Sequence, residues 1–136
     1  MASLYKERVM KYWLGIFAML LLWGTGCGEF APQQTCSSGQ TCSCDGIESC
    51  DYACQGSGCN FECNGSGPCN FECDGGDCNV TSNGSGDVDL TCTGNNCNLT
   101  CTGSGACNLY DCTMGCTLTC TGDGVCTNTC SDASCI

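Results

Sequence analysis

The sequence predicts an all-β fold: a disulfide-rich two-sheet β-solenoid (a β-roll) of about five coils, with about nineteen residues per coil. Three observations predict it. Cysteine recurs at a fixed spacing: Cys50, Cys69, Cys107 and Cys126 share one nineteen-residue register with Val88, and Cys59, Cys78, Cys97, Cys116 and Cys135 share another. The chain between is built from five-residue motifs, cysteine at both ends and a large residue at the centre, as in Cys59-Asn60-Phe61-Glu62-Cys63. Turns of four and five residues, rich in Gly and Asn, alternate between the motifs. A regular period of this length means one structural unit stacked on itself. Helix is disfavoured because Gly and Asn recur every few residues.

Charge and composition narrow the function. The 136-residue chain has length for one domain and carries 21 cysteines and 20 glycines. Its three basic residues, Lys6, Arg8 and Lys11, stand at the N-terminus, and it has no histidine. Past residue 27, thirteen Asp and Glu face no Lys, Arg or His. Nucleic acid and phosphate ligands need Lys or Arg, so neither is an expected partner. The cysteine density implies an oxidising compartment or a metal-thiolate protein.

Residues 1–26 read as a signal peptide: a basic start, the apolar run 13–23, then small residues. Eleven residues are too few to span a bilayer, which needs about 20. The ending Thr25-Gly26-Cys27 resembles the lipobox of bacterial lipoproteins, with Gly24 where that pattern favours Leu. The resemblance implies that Cys27 is lipidated and becomes the new N-terminus, anchoring the chain to a membrane. Cysteine arithmetic agrees, since leaving Cys27 out gives an even twenty. Residues 27–39 then read as the anchor cysteine and a flexible tether, and 40–136 as the solenoid. Residues 40–44, in phase with the repeat, are expected as an irregular first strand that caps it.

Within a motif, positions 1, 3 and 5 face one side of a strand, and 2 and 4 the other. The centres are Tyr52, Phe61, Phe71, Val80, Leu90, Leu99, Leu109, Leu118 and Asn128, apolar in all but the last. Cysteines and centres therefore share the inner face, and Asn, Thr, Asp and Glu the outer. Glycine is the second residue of most turns (Gly46, Gly56, Gly65, Gly75, Gly84, Gly94, Gly103, Gly122), as expected where the backbone needs positive φ. Five coils at ~4.8 Å give a body roughly 24 Å tall.

Ser82 and Val88 replace the expected cysteines on either side of a single turn. Bonds that close across turns lose both partners together, which favours Cys36–Cys42, Cys44–Cys50, Cys54–Cys59, Cys63–Cys69, Cys73–Cys78, Cys92–Cys97, Cys101–Cys107, Cys112–Cys116, Cys120–Cys126 and Cys130–Cys135. The rival scheme stacks bonds between coils, as in Cys50–Cys69 and Cys44–Cys63. Strand spacing allows it, and it too uses all twenty cysteines, but it makes the double loss a coincidence. Sequence alone does not fix connectivity.

No catalytic residue, cofactor or metal site is expected. The region past Cys27 has no His or Lys to act as a base, and Glu62 and Glu72, the most pair-like carboxylates, fall on successive strands and hence on opposite sheets. Metallothioneins are rich in C-x-C, which occurs here once, at Cys42 and Cys44. The turns from Asn64 and Asn83 resemble the calcium-binding RTX nonapeptide, but Cys69 and Val88 stand at its ligand position, so the resemblance implies a roll-like coil more than an ion. Asp74, Asp77, Asp87 and Asp123 are the candidates for a weak calcium. Residues 100–107, TCTGSGAC, resemble the T-C-T-x-S-x-x-C repeat of beetle antifreeze proteins, disulfide-filled solenoids with a flat Thr face. That resemblance implies ice binding as an alternative function, on a face formed by Asn60, Asn79, Thr81, Asn98, Thr100, Thr117 and Thr119. Sequons stand at Asn64, Asn79, Asn83 and Asn98.

The texture of the post-signal region resembles the cysteine-rich tandem-repeat lipoproteins of Gram-negative bacteria. The expected function is a lipid-anchored structural or adhesive protein at the cell envelope or outer surface, secretion being the alternative. Unpaired strand edges at open ends invite end-to-end self-association, unless the strand at 40–44 and the tail at 131–136 cap them.

Overall fold

The computed structural model describes residues 33–130. The chain divides into two units, Met1–Ala31 and Pro32–Ile136. The expected signal peptide, Cys27 and Cys135 lie outside the described residues.

Every described element is a strand: β1 (Gln34–Ser37), β2 (Thr41–Cys44), β3 (Cys50–Gln55), β4 (Asn60–Cys63), β5 (Cys69–Glu72), β6 (Asn79–Ser82), β7 (Val88–Thr91), β8 (Asn98–Cys101), β9 (Cys107–Tyr110), β10 (Thr117–Cys120) and β11 (Cys126–Thr129). They alternate between two parallel sheets, one ordered β1-β3-β5-β7-β9-β11 and the other β2-β4-β6-β8-β10. This is a β-solenoid of about five turns. Its register is the nineteen-residue period: Cys50 pairs with Cys69, Cys69 with Val88, Val88 with Cys107 and Cys126 with Cys107.

The core is two apolar columns facing each other between the sheets. Phe71, Leu90 and Leu109 come from the first sheet, and Phe61, Val80 and Leu99 from the second, all of them buried. Tyr52 and Leu118, nearer the two ends, are half-buried. Phe61 stacks on Phe71 with centroids 4.6 Å apart, and Tyr52 lies tilted against Phe61 at 6.3 Å. Glu62 and Glu72 are on opposite sheets, as expected.

Disulfides line both edges of this core. Bonds join Cys36–Cys42, Cys54–Cys59, Cys73–Cys78, Cys92–Cys97 and Cys112–Cys116 along one edge. The other edge carries Cys44–Cys50, Cys63–Cys69, Cys101–Cys107 and Cys120–Cys126. Each closes its own turn, with Cα–Cα distances of 5.9 to 6.6 Å, inside the range a disulfide spans. A loop so short gains only about 2 kcal/mol per bond in the chain-entropy model.

The disulfides of this second edge have one gap. Ser82 pairs with Cys63 and Cys101, and Val88 with Cys69 and Cys107, so this pair sits between two disulfide rungs. Val88 is fully buried, whereas the buried Ser82 hydroxyl has no hydrogen-bond partner among the described residues. Such an orphan costs about 1–3 kcal/mol. The double variant Ser82→Cys/Val88→Cys is expected to close the missing rung, leave no added alkylatable thiol and raise unfolding stability by about 2 kcal/mol. Denaturant midpoints of the oxidised proteins check this.

Three features differ from expectation. Gln34–Ser37, inside the segment read as a tether, is strand β1, and it pairs with β3. β2 is accordingly the regular edge strand of its sheet rather than an irregular first one. The period hides β1 because Cys36 aligns with Cys54, an offset of eighteen instead of nineteen. Positive φ is not what most turn glycines supply either: of the eight expected, only Gly56 has it. Apart from Gly46, the others in the five-residue turns are needed because coils approach so closely. A Cβ on Gly65, Gly84, Gly103 or Gly122 would lie 1.8–2.1 Å from the carbonyl oxygen of the glycine nineteen residues earlier. Asp111 breaks the five-residue motif where cysteine is expected. It takes a left-handed conformation, φ 58, as an extra residue that turns Cys112 inward to its bond with Cys116.

Candidate functional site

Parallel sheets are usually covered on both faces, but here each has one face open to water. What the outer faces present is therefore the candidate site, and stacking dictates it. Each outer residue sits beside its equivalent in the next coil, so like groups form columns.

On the second sheet one column runs Asn60, Asn79, Asn98 and Thr117. It is a linked amide ladder: Asn79 Nδ2 donates to Asn60 Oδ1 at 3.4 Å, and Asn98 Nδ2 to Asn79 Oδ1 at 3.1 Å. The neighbouring column runs Glu62, Thr81, Thr100 and Thr119. Ser43 Oγ donates to Glu62 at 3.3 Å, which ties the carboxylate toward the N-terminal edge. The hydroxyls of Thr81, Thr100 and Thr119 have no protein partner among the described residues. The structure thus brings all seven expected face residues together, as one column linked through its asparagines and one whose threonine hydroxyls are open. Strand geometry spaces such an array by ~4.8 Å across strands and about 6.6 Å along them.

Six of the aspartates elsewhere are tied into the same stacking. Asp51 accepts from Asn70 Nδ2 at 2.5 Å, and Asp89 from Asn108 Nδ2 at 2.7 Å. Asp45 accepts from Asn64 Nδ2 at 3.0 Å, Asn64 from Asn83 Nδ2 at 3.1 Å, and Asn83 from the Thr102 hydroxyl at 2.9 Å. Asp74 accepts from Thr93 at 3.0 Å, Asp77 from Asn96 at 3.2 Å, and Asp87 from the Ala106 amide at 2.8 Å. Neutral donors between the acids relieve the repulsion that a column of like charges would feel. Three of the four acids considered for calcium are therefore already acceptors within the stack.

The sulfurs are committed likewise. Those of Cys54, Cys73 and Cys78 cluster within 4.8 Å, as do those of Cys92, Cys112 and Cys116. They belong to consecutive disulfide rungs, with Cys116 Sγ 3.9 Å from Cys92 Sγ. A bonded sulfur lacks the thiolate charge that ligates zinc.

One feature escaped the sequence reading. A shallow groove follows the five-residue turns, with Asn83, Ser85, Thr102, Ser104, Thr121 and Asp123 above a floor of Gly84, Gly103 and Gly122. The recurring Asn-Gly-Ser and Thr-Gly-Ser turns carry its signal in the sequence. The signal becomes a groove only because the glycines let the turns stack without side chains between them. No protein-family model, curated protein or solved structure matches the chain.

Proposed function

We propose that this chain is an exported structural or adhesive protein of the cell envelope, held at the outer membrane or cell surface by a lipid on Cys27 and acting without catalytic chemistry. One observation carries the reading: polar side chains that commonly bind ligands are used to hold coil to coil, and the sulfurs are used to close each turn. Six aspartates accept a hydrogen bond from the residue nineteen positions on. The described disulfides are local to single turns, and the density of such bonds suits an oxidising extracellular environment. The product is an acidic, covalently reinforced rod. Phase partitioning tests the anchor. The mature protein is expected in the detergent phase, and Cys27→Ser in the aqueous phase. Aqueous partitioning of the unaltered protein would leave a secreted rod in its place.

A second reading, ice binding, is favoured by the open Thr81–Thr100–Thr119 column on a regular sheet. It predicts thermal hysteresis that disappears when Thr100 is replaced by Tyr. Hysteresis unchanged in Thr100→Tyr, or absent from the unaltered protein, removes this reading.

A further inference from the structure

We propose that the Cys120–Cys126 disulfide is a thiol-exchange site, opened by an external thiol while the other described rungs stay closed. Among the described rungs it is the one with both residues exposed. Six rungs have both residues buried. Cys36–Cys42 and Cys44–Cys50, near the other end, each keep one residue buried. Position in the stack explains the difference. Cys120 lies beside Cys101 and Cys126 beside Cys107, and β10 and β11 end their sheets, so no described strand covers the outer side of this pair. Exchange requires a thiolate to reach a sulfur, so exposed disulfides are the labile ones.

The coil this bond closes is also the one least tied to the core. Strands β3 to β10 each place an aromatic or aliphatic centre in or against it. β11 places Asn128 there, exposed, with its side-chain oxygen accepting from the Cys130 amide at 3.0 Å. β11 is held to β9 by its ladder and by the Thr129 hydroxyl, which donates to the Leu109 carbonyl at 3.3 Å. The disulfide ties it to β10. Segments with few buried apolar contacts open at low free energy, so opening the rung frees the last turn. An external thiolate attacks one sulfur of the pair, forming a mixed disulfide, and the other cysteine leaves as a thiolate with the electron pair. A second external thiolate then displaces the first. Two external thiols are thereby oxidised to a disulfide, and the rung is reduced to two thiols, which take up the two protons.

Pulsed reduction tests this on the oxidised full chain, with Cys27→Ser so that residue 27 contributes neither lipid nor thiol. Brief exposure to dilute dithiothreitol, whose second thiol completes the displacement, is followed by acid quench, alkylation and peptide mapping. Cys101–Cys107 is the matched control: it lies on the same edge one coil inward, spans the same six-residue separation and is buried. Cys120 and Cys126 are expected to label about tenfold faster than Cys101 and Cys107, or more, since a buried rung must await local opening. The Thr121 and Gly122 amides donate to the Cys101 carbonyl, and the Gly84 amide makes the same bond to Cys63 two coils earlier in the series. Once Cys120 and Cys126 are alkylated in the native protein, Thr121 and Gly122 are expected to lose hydrogen-exchange protection by about tenfold or more, and Gly84 to keep its own. Three results overturn the proposal: Cys101 and Cys107 labelling in step with Cys120 and Cys126, another described rung opening first, or full protection retained at Thr121 and Gly122 after alkylation.

Discussion

Gly86→Ala is expected to destabilise the oxidised protein by about 3 kcal/mol or more, whereas Gly46→Ala is expected to change it by less than about 0.5 kcal/mol. Both residues lie in five-residue turns, and neither has positive φ. What separates them is the coil beneath. A Cβ on Gly86 would lie 1.9 Å from the Gly67 carbonyl oxygen and 2.7 Å from its carbon. These are backbone atoms inside a hydrogen-bonded stack, with Ser85 N donating to Gly65 O at 3.1 Å and Gly86 N to the same oxygen at 3.3 Å. They cannot move aside as a side chain would, so coils must separate. Gly46 has only ordinary contact ahead of its Cβ. Chemical denaturation without reductant checks the pair. Equal effects at both positions would show that the turn glycines serve local conformation rather than coil-to-coil approach.

Reduction is expected to abolish the fold altogether. Nine described rungs close turns of similar length, each contributing about 2 kcal/mol by restricting the unfolded chain. Even with imperfect additivity, that is comparable to or larger than the roughly 5–15 kcal/mol by which domains are stable. The rest of the core is thin: six fully enclosed aromatic or aliphatic centres, with Val88 in the gap. A chain reduced in denaturant and returned to buffered reductant should show no strand signal in far-UV circular dichroism. Reoxidation should restore it. A reduced chain with native strand content would mean that backbone ladders and the apolar columns suffice alone.

Much of this architecture is readable from residues, for a physical reason. In a solenoid, a contact between coils is a contact between residues one period apart, so sequence register and spatial register coincide. That is why Asn60, Asn79 and Asn98 could be placed in a column, and why the joint loss at Ser82 and Val88 pointed to pairing across turns. What stayed hidden is whatever departs from the period or depends on distance. β1 was missed because its step is eighteen. The extra residue at Asp111 puts Cys112 twenty residues after Cys92, and the shorter turn to Cys116 restores the nineteen-residue step from Cys97, through a left-handed conformation that composition does not encode. The glycines were legible as glycines but not as contact points, since an approach of about 2 Å appears only when the turns are stacked. The face residues were legible too. Which of them are open was not, because the amides bond within their column while the threonine hydroxyls do not.

The most direct test of a rod stapled turn by turn is a disulfide map of the mature protein, made by alkylation and mass spectrometry without prior reduction. The account predicts no alkylatable thiol and cross-links confined to single turns, Cys63–Cys69 and Cys101–Cys107 among them. Cross-links between coils, such as Cys50 with Cys69, or a set of free thiols that appears on chelation, would contradict it.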